Sequence, residues 1–265
     1  MQYTLNIKGR LLDLGEPRVM GILNVTPDSF YATSRVQSER EVAERANAII
    51  EQGGDIIDIG ACSTRPGSTP VSEEDEAARL RMALEVVRRE QPSATISVDT
   101  FRPAVARMAV EDYGADIIND VGGGEPDMLQ MVTSLGVPYI LMSSQPTLES
   151  TLLFFAERVA QLRIMGQKDI ILDPGFGFGK TMQQNYELLN RLDHLLVMEL
   201  PLLVGVSRKS MIYKLLNVGP EEALSGTTAL NAIALTKGAS ILRVHDVKEA
   251  VDTCKVIAVC GLNER

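Results

Sequence analysis

The chain has 265 residues, with 26 Lys and Arg against 35 Asp and Glu and 45% hydrophobic content. That composition excludes disorder and collagen-like repeats and provides enough apolar material for one sizeable core. A formal charge of −9 argues against a nucleic-acid partner, which normally meets a net basic face. Cys62, Cys254 and Cys260 form no CxxC pair and only His194 and His245 could join them, so a Cys/His zinc cage is excluded and a reduced, cytoplasmic chain is expected. Lys8, Arg10 and Asp13 interrupt the apolar residues at the N-terminus, which therefore lacks a signal h-region. The longest apolar stretch, Leu195 to Val206, is broken by Glu199 and Pro201 and is too short for a bilayer, so no membrane partner is expected.

In chain order, the residues before Arg18 predict a short hairpin. Eight β-branched runs follow: Arg18 to Asn24, Asp55 to Gly60, Thr95 to Asp99, Asp116 to Asn119, Val137 to Met142, Asp169 to Asp173, Leu202 to Val206 and Ser240 to Val244. Their apolar residues are continuous instead of alternating, the pattern of parallel strands buried on both faces. Helical patterns lie between them. Ser38 to Glu41 has the spacing of a capping box before Val42, Ala46, Ile49 and Ile50, with Gly53-Gly54 as the stop. Ser72 opens a second helix, and Pro103 and Pro126 sit where first-turn prolines belong. Eight βα units in about 250 residues predict a (β/α)8 TIM barrel, with the hairpin closing its bottom. A doubly wound sheet is the alternative, disfavoured because no dinucleotide fingerprint follows the first strand. No low-complexity linker divides the chain, so one domain spans residues 1–265.

Function in such a barrel gathers at the C-terminal ends of the strands. Here those ends carry Asn24, Thr64-Arg65, Asp99, Asn119, Asp173, Ser207-Arg208-Lys209 and Arg243 with His245. An Asp after a strand is often only a helix cap, yet coincident polar groups at almost every strand end strain that explanation. Asp99, Asn119 and Asp173 suit the donor-rich edge of a flat heterocycle such as a 2-amino-pyrimidinone. Thr64, Arg65, Arg243 and His245, with Asn24 as a neutral oxygen ligand, suit an anion carrying magnesium. The run Asp173 to Thr181 fails as a phosphate loop because Pro174 stands where the first glycine is needed. Its glycines instead let the backbone approach a planar ligand, with Phe176 or Phe178 beside it.

Met20-Gly-Ile-Leu-Asn-Val-Thr-Pro-Asp-Ser-Phe30, Asp58 to Gly67, Ile96 to Asp99, Ile118 to Val121, Asp173 to Thr181, Gly205 to Ser210 and Arg243 to Asp246 together resemble dihydropteroate synthase, in order and across nearly the whole chain. The resemblance implies a TIM barrel. It implies a transferase that joins 4-aminobenzoate to 6-hydroxymethyl-7,8-dihydropterin diphosphate, releasing diphosphate and 7,8-dihydropteroate in folate synthesis. It assigns Asp99, Asn119, Asp173, Phe178 and Lys209 to the pterin. Asn24 with Mg2+, Thr64, Arg65, Arg243 and His245 fall to the diphosphate, and Pro27, Phe30, Ser207 and Lys209 to 4-aminobenzoate. Asp99, Lys209, Arg243 and Asn24 would carry the catalysis. A homodimer with Glu221 to Lys237 as interface, and sensitivity to sulfonamides, are further implications.

The chain departs from the family at Tyr31 to Ser34, which lack the glycines of the first loop, at Ser143 to Pro146 after the fifth strand, and at Cys62, where the family generally has Glu. Two other functions compete. A methyltetrahydrofolate methyltransferase would share the pterin end but has no use for the Arg243 and His245 cluster. A non-catalytic pterin-binding module would have lost turnover through its altered loops.

Overall fold

The computed structural model describes residues 3–25, 35–62 and 71–261. Two antiparallel strands, β1 (Thr4–Ile7) and β2 (Arg10–Asp13), come first. Eight parallel strands follow: β3 (Arg18–Asn24), β4 (Ile56–Gly60), β5 (Thr95–Asp99), β6 (Ile117–Asp120), β7 (Tyr139–Met142), β8 (Ile170–Asp173), β9 (Leu202–Val204) and β10 (Ala239–Val244). They close in the order β10-β3-β4-β5-β6-β7-β8-β9. Because β10 pairs with both β3 and β9, the sheet has no free edge, and the doubly wound alternative is excluded.

The helices on the outside are α1 (Arg35–Glu51), α2 (Glu73–Glu90), α3 (Pro103–Glu111), α4 (Pro126–Leu135), α5 (Leu148–Ile164), α6 (Met182–Asn190), α7 (Ser210–Leu216), α8 (Leu224–Thr236) and α9 (Val247–Val259). Ser72 caps α2 by accepting the Asp75 N–H at 3.1 Å, and Pro103 and Pro126 open α3 and α4. One cap is corrected. Helix α1 begins at Arg35, so Ser38 lies inside it, 3% exposed, and the Ser38 to Glu41 spacing belongs to a helix interior. At the other end Gly53, with φ +88°, ends the helix as expected.

Two apolar layers hold the fold. The larger lies between the outer face of the barrel and the helices, with Leu23, Ile57, Ile59, Ile96, Val98, Ile118, Leu141 and Leu172 facing residues such as Ile49, Leu80 and Phe155. The smaller fills the barrel floor, where Met20, Ile56, Ile117, Ile140, Ile171, Leu203 and Ile241 meet Leu5, Ile7 and Leu14 of the N-terminal segment. A two-stranded hairpin is marginal alone in water. Here its apolar face is sealed against the strand beginnings, as the expected closure of the barrel bottom requires.

Side chains alternate along a strand, so inward positions two residues above this floor include Asp58, Asn119, Asp173 and Arg243. The interior therefore changes from hydrocarbon to charge within one repeat of the pleat, and the site sits on a dry base.

Close packing of α1 on the sheet sets a limit at Gly21, where an added Cβ would lie 2.7 Å from both Cγ1 and Cγ2 of the fully buried Ile49. Gly21→Ala should destabilise the chain by about 1–3 kcal/mol through overpacking. Urea unfolding measures this, and an unchanged midpoint would contradict the packing described.

Candidate active site

The centre of the barrel mouth is one guanidinium between two carboxylates. Arg243 donates from Nε to Asp58 Oδ2 at 2.6 Å and from Nη2 to Asp99 Oδ2 at 2.8 Å. Asn119 donates from Nδ2 to the same Asp58 oxygen at 3.2 Å. The Asp58 side chain is fully buried, and those of Asp99 and Arg243 are 16% and 18% exposed. Burial pushes the Asp99 carboxyl up to about 7; Arg243 opposes the shift, while Asp58, Glu76 and Asp120 add to it. The Arg243 guanidinium is raised because the two carboxylates outweigh the cost of its own burial. Asp58 Oδ1 and Asn119 Oδ1 are buried without a hydrogen-bond partner. A buried acceptor left unpaired is costly, so this layer is built to receive donors from a ligand.

A second group forms over β8 and the loop after β9. Asp173 accepts the Gly175 N–H at 2.8 Å on one oxygen. Burial raises its carboxyl, while Lys209 is the main group opposing that rise. Lys209 donates to the Phe176 carbonyl, and its Nζ stands 4.7 Å from the centre of the Phe178 ring. Burial brings its ammonium down to about 8, with Asp173 resisting and Arg243 and Lys180 reinforcing the fall. The loop between Asp173 and Thr181 is tied by Lys180, which donates to the carbonyls of Ser143 and Gly175 at 3.1 Å and of Phe178 at 3.3 Å. Gly175 has φ +68°, and a Cβ there would run into the Ser143 carbonyl, so this turn requires glycine.

On the remaining side, Ser207 Oγ lies 3.0 Å from His245 Nδ1 and also accepts the His245 backbone N–H at 3.1 Å. Asn24 is exposed at the end of β3. Its Oδ1 and the Asp99 Oδ2 lie 3.4 and 3.6 Å from the empty Cβ position of Gly60, which places these two oxygens on one side of the mouth.

The fold thus gathers Asp99, Asn119, Asp173, Phe178, Ser207, Lys209, Arg243 and His245 at the barrel mouth, with Asn24 beside Asp99. Pro27, Phe30, Thr64 and Arg65 lie outside the described residues, as does the Tyr31 to Ser34 departure. Arg243 bridges the two clusters that the sequence separates into a heterocycle end and an anion end.

Sequence reading missed Asp58. Its signal was a lone carboxylate inside the apolar run Ile-Ile-Asp-Ile-Gly, in phase with the inward positions of β4. It also missed a buried group beside the mouth, in which Glu76, fully buried in the first turn of α2, accepts from Thr100 Oγ1 at 2.6 Å and from Arg102. Cys62, beside Glu76, has its thiol pushed up to about 12 by burial and by that carboxylate. A thiol held up in this way has little thiolate at neutral pH.

A family model described as pterin binding enzyme matches residues 20–245. The chain is 44% identical to the dihydropteroate synthase of Escherichia coli (strain K12) over 266 aligned residues, 94% of each chain. Among solved structures it resembles the Xanthomonas albilineans dihydropteroate synthase with 4-aminobenzoic acid, at a TM-score of 0.91 and 37% identity, covering 98% of this chain and 99% of that one. It also resembles the Yersinia pestis enzyme with a pterine-sulfa conjugate, at 0.87 and 38%, with coverage of 98% and 99%.

His245 generates a test by pH. Burial first, then Arg243, bring its imidazole down to about 4, against about 6.5 in an unfolded chain. Between those values the unfolded state takes up a proton that the folded state refuses, so stability is lost as pH falls through this window. The stability difference between the wild type and His245→Gln, followed by urea unfolding from about pH 7 to about pH 4.5, should therefore move against the wild type as pH falls. A difference independent of pH would refute a neutral, buried ring.

Proposed function

The chain belongs to the dihydropteroate synthases, transferases among the pterin-binding enzymes, and from that membership we propose how its own residues divide the reaction. The observation that carries the reading is the polar layer with unpaired buried acceptors at Asp58 and Asn119, set on a hydrocarbon floor. The 2-amino-pyrimidinone edge of the pterin supplies donors to Asp99, Asn119 and Asp173, and its flat ring lies by Phe178 and Lys209. Because Arg243 uses only Nε and Nη2 on its two carboxylates, Nη1 remains for the diphosphate without breaking either ion pair. His245, Thr64, Arg65 and Asn24 complete the anion end.

Cleavage of the bond between the pterin methylene and its diphosphate oxygen sends the electron pair to the leaving group. Cations placed against that developing charge lower the barrier. The methylene cation is delocalised into the ring and faces the Asp99 carboxylate. The amine of 4-aminobenzoate, between Ser207, Lys209, Pro27 and Phe30, then forms the new C–N bond and loses a proton.

No group of three His, Cys, Asp or Glu side chains among the described residues is arranged to hold a metal. Asn24, a neutral hard oxygen at the anion end, would hold a magnesium ion, with the Asp99 carboxylate as a further hard oxygen close by. When bound, that ion would neutralise leaving-group charge.

A sulfonamide would compete for the 4-aminobenzoate side. The free thiols of Cys62, Cys254 and Cys260 fit a cytoplasmic protein. No helix among the described residues is long and apolar enough to cross a membrane. Exposed Leu215, Leu216 and Ile233 on α7 and α8 support a homodimer through the Glu221 to Lys237 region.

The basic assay is diphosphate release with and without 4-aminobenzoate, and release that ignores the arylamine and yields no dihydropteroate would refute a synthase. Asp99→Asn, nearly isosteric, should keep the fold and lower turnover roughly a hundredfold or more; near-normal turnover would remove Asp99 from the mechanism. Calorimetry separates the two ends. Arg243→Ala should weaken the pterin diphosphate by roughly ten- to a hundredfold more than a pterin without diphosphate, whose own loss reflects the unpartnered Asp58 and Asp99. Asp173→Ala should weaken both. A wild type that binds both ligands equally, with Arg243→Ala changing neither, would favour the non-catalytic module.

A further inference from the structure

Two sequence motifs that supply the site, Ser207-Arg208-Lys209 and Arg243-Val-His-Asp246, each contain a charged residue that the reaction leaves unused. These are Arg208 and Asp246, and they meet. Arg208 donates from Nε to Asp246 Oδ2 at 2.9 Å and from Nη2 to Oδ1 at 2.7 Å, a bidentate fork across 38 residues of sequence. Its Nη1 donates to the carbonyls of Pro220 at 3.1 Å and Glu221 at 2.6 Å, and its backbone N–H donates to Thr227 Oγ1 at 3.1 Å. The residue itself has φ +53°, an unfavourable backbone for a side chain with a Cβ, which persists only where the surroundings over-determine it. Every polar group of Arg208 except its carbonyl is thus committed, with Nε and Nη2 holding the loop after β9 against the start of α9, and Nη1 and the backbone N–H holding it against the segment from Pro220 to Thr227.

The consequence falls on the residues either side of that fork. His245 precedes Asp246 and Ser207 precedes Arg208. The Ser207 oxygen accepts the His245 backbone N–H, so its remaining contact, with Nδ1 at 3.0 Å, decides the tautomer. Ser207 is 4% exposed, and Nδ1 is the only acceptor recorded for its hydroxyl among the described residues. If Nδ1 carried the proton, that buried O–H would have no partner. The hydroxyl therefore donates, Nδ1 accepts, and the ring proton sits on Nε2. On the third side Arg45 donates from Nη2 to the His245 carbonyl at 2.7 Å and from Nε to the Ile22 carbonyl at 3.0 Å, joining this unit to β3.

We propose that Arg208 and Asp246 are positioning residues whose fork fixes Ser207 against His245, so that His245 is held as a neutral Nε2–H donor at the anion end of the pocket. The use of that donor rests on the reading of His245 as a diphosphate contact. A neutral donor suits a site already rich in cations, because it adds a hydrogen bond without adding repulsion to Arg243. Burial and the cations Arg243, Arg45 and Arg208 around the ring, opposed by Asp246, keep it uncharged at neutral pH.

The chain has only His194 and His245, so 15N-labelled histidine in a His194→Gln background reports the second ring alone. The full-length protein at neutral pH should give a pyridine-type Nδ1 and a pyrrole-type Nε2. Arg208→Met and Asp246→Asn should each produce a mixture of tautomers. Both should also weaken inorganic diphosphate with magnesium by roughly tenfold in calorimetry, leaving a pterin without diphosphate unaffected. Arg208→Lys, which keeps the charge but cannot make the fork, should fold and fall between the wild type and Arg208→Met. A wild-type ring protonated on Nδ1 overturns the proposal. So does an unchanged tautomer in folded Arg208→Lys, Arg208→Met and Asp246→Asn. Mixed tautomers with unaltered diphosphate affinity would uphold the fork's control of His245 and dismiss instead the diphosphate contact on which its use rests.

Discussion

A single guanidinium balances two carboxylates at the mouth of the barrel, and the rest of the site is organised around that balance. Asp58 is fully buried, and an isolated carboxylate at such depth is untenable without a partner. Arg243 supplies the partner, but it is shared with Asp99, so neither acid is fully compensated and Asn119 is recruited to the same Asp58 oxygen. The unspent acceptors of this arrangement, Asp58 Oδ1 and Asn119 Oδ1, point to a ligand that brings donors.

The periphery, by contrast, is braced heavily by hydrogen bonds to backbone. Lys180 draws three carbonyls together, Lys209 reaches the carbonyl of Phe176, and Arg45 grips those of Ile22 and His245. Cations anchored to carbonyls hold loops in place while leaving the carboxylates of the site to the substrate. A barrel whose strands end in loops needs such fasteners, because loop backbone has no ladder of its own to satisfy it.

Much of this was legible in the sequence. The continuous apolar runs mark parallel strands because both faces are covered, and their spacing sets the barrel. The polar residue at almost every strand end marks the mouth because that is where the runs stop. Less legible was anything that depends on two positions meeting. Asp58 is hidden by its apolar neighbours, and only the two-residue phase of the strand separates it from them. The Ser38 to Glu41 spacing resembles a cap, yet the helix extends three residues before Ser38, and a local pattern cannot exclude a start further upstream. Arg208 and Asp246 are both visible as charges, but their pairing across 38 residues is a product of barrel closure.

The floor of the barrel has a consequence for the order of assembly. The hairpin is synthesised before the strands that seat it, for its apolar face is completed by Leu203 and Ile241, which lie far downstream in the chain. Until β10 pairs with β3, Leu5, Ile7 and Leu14 have only part of their burial surface, and the polar layer above lacks Arg243. Non-local closure of this kind is slow and leaves apolar surface exposed in the meantime. Pairing of β10 therefore finishes the hydrophobic plug and brings Arg243 to the polar layer in the same event, so removing β10 would lose both.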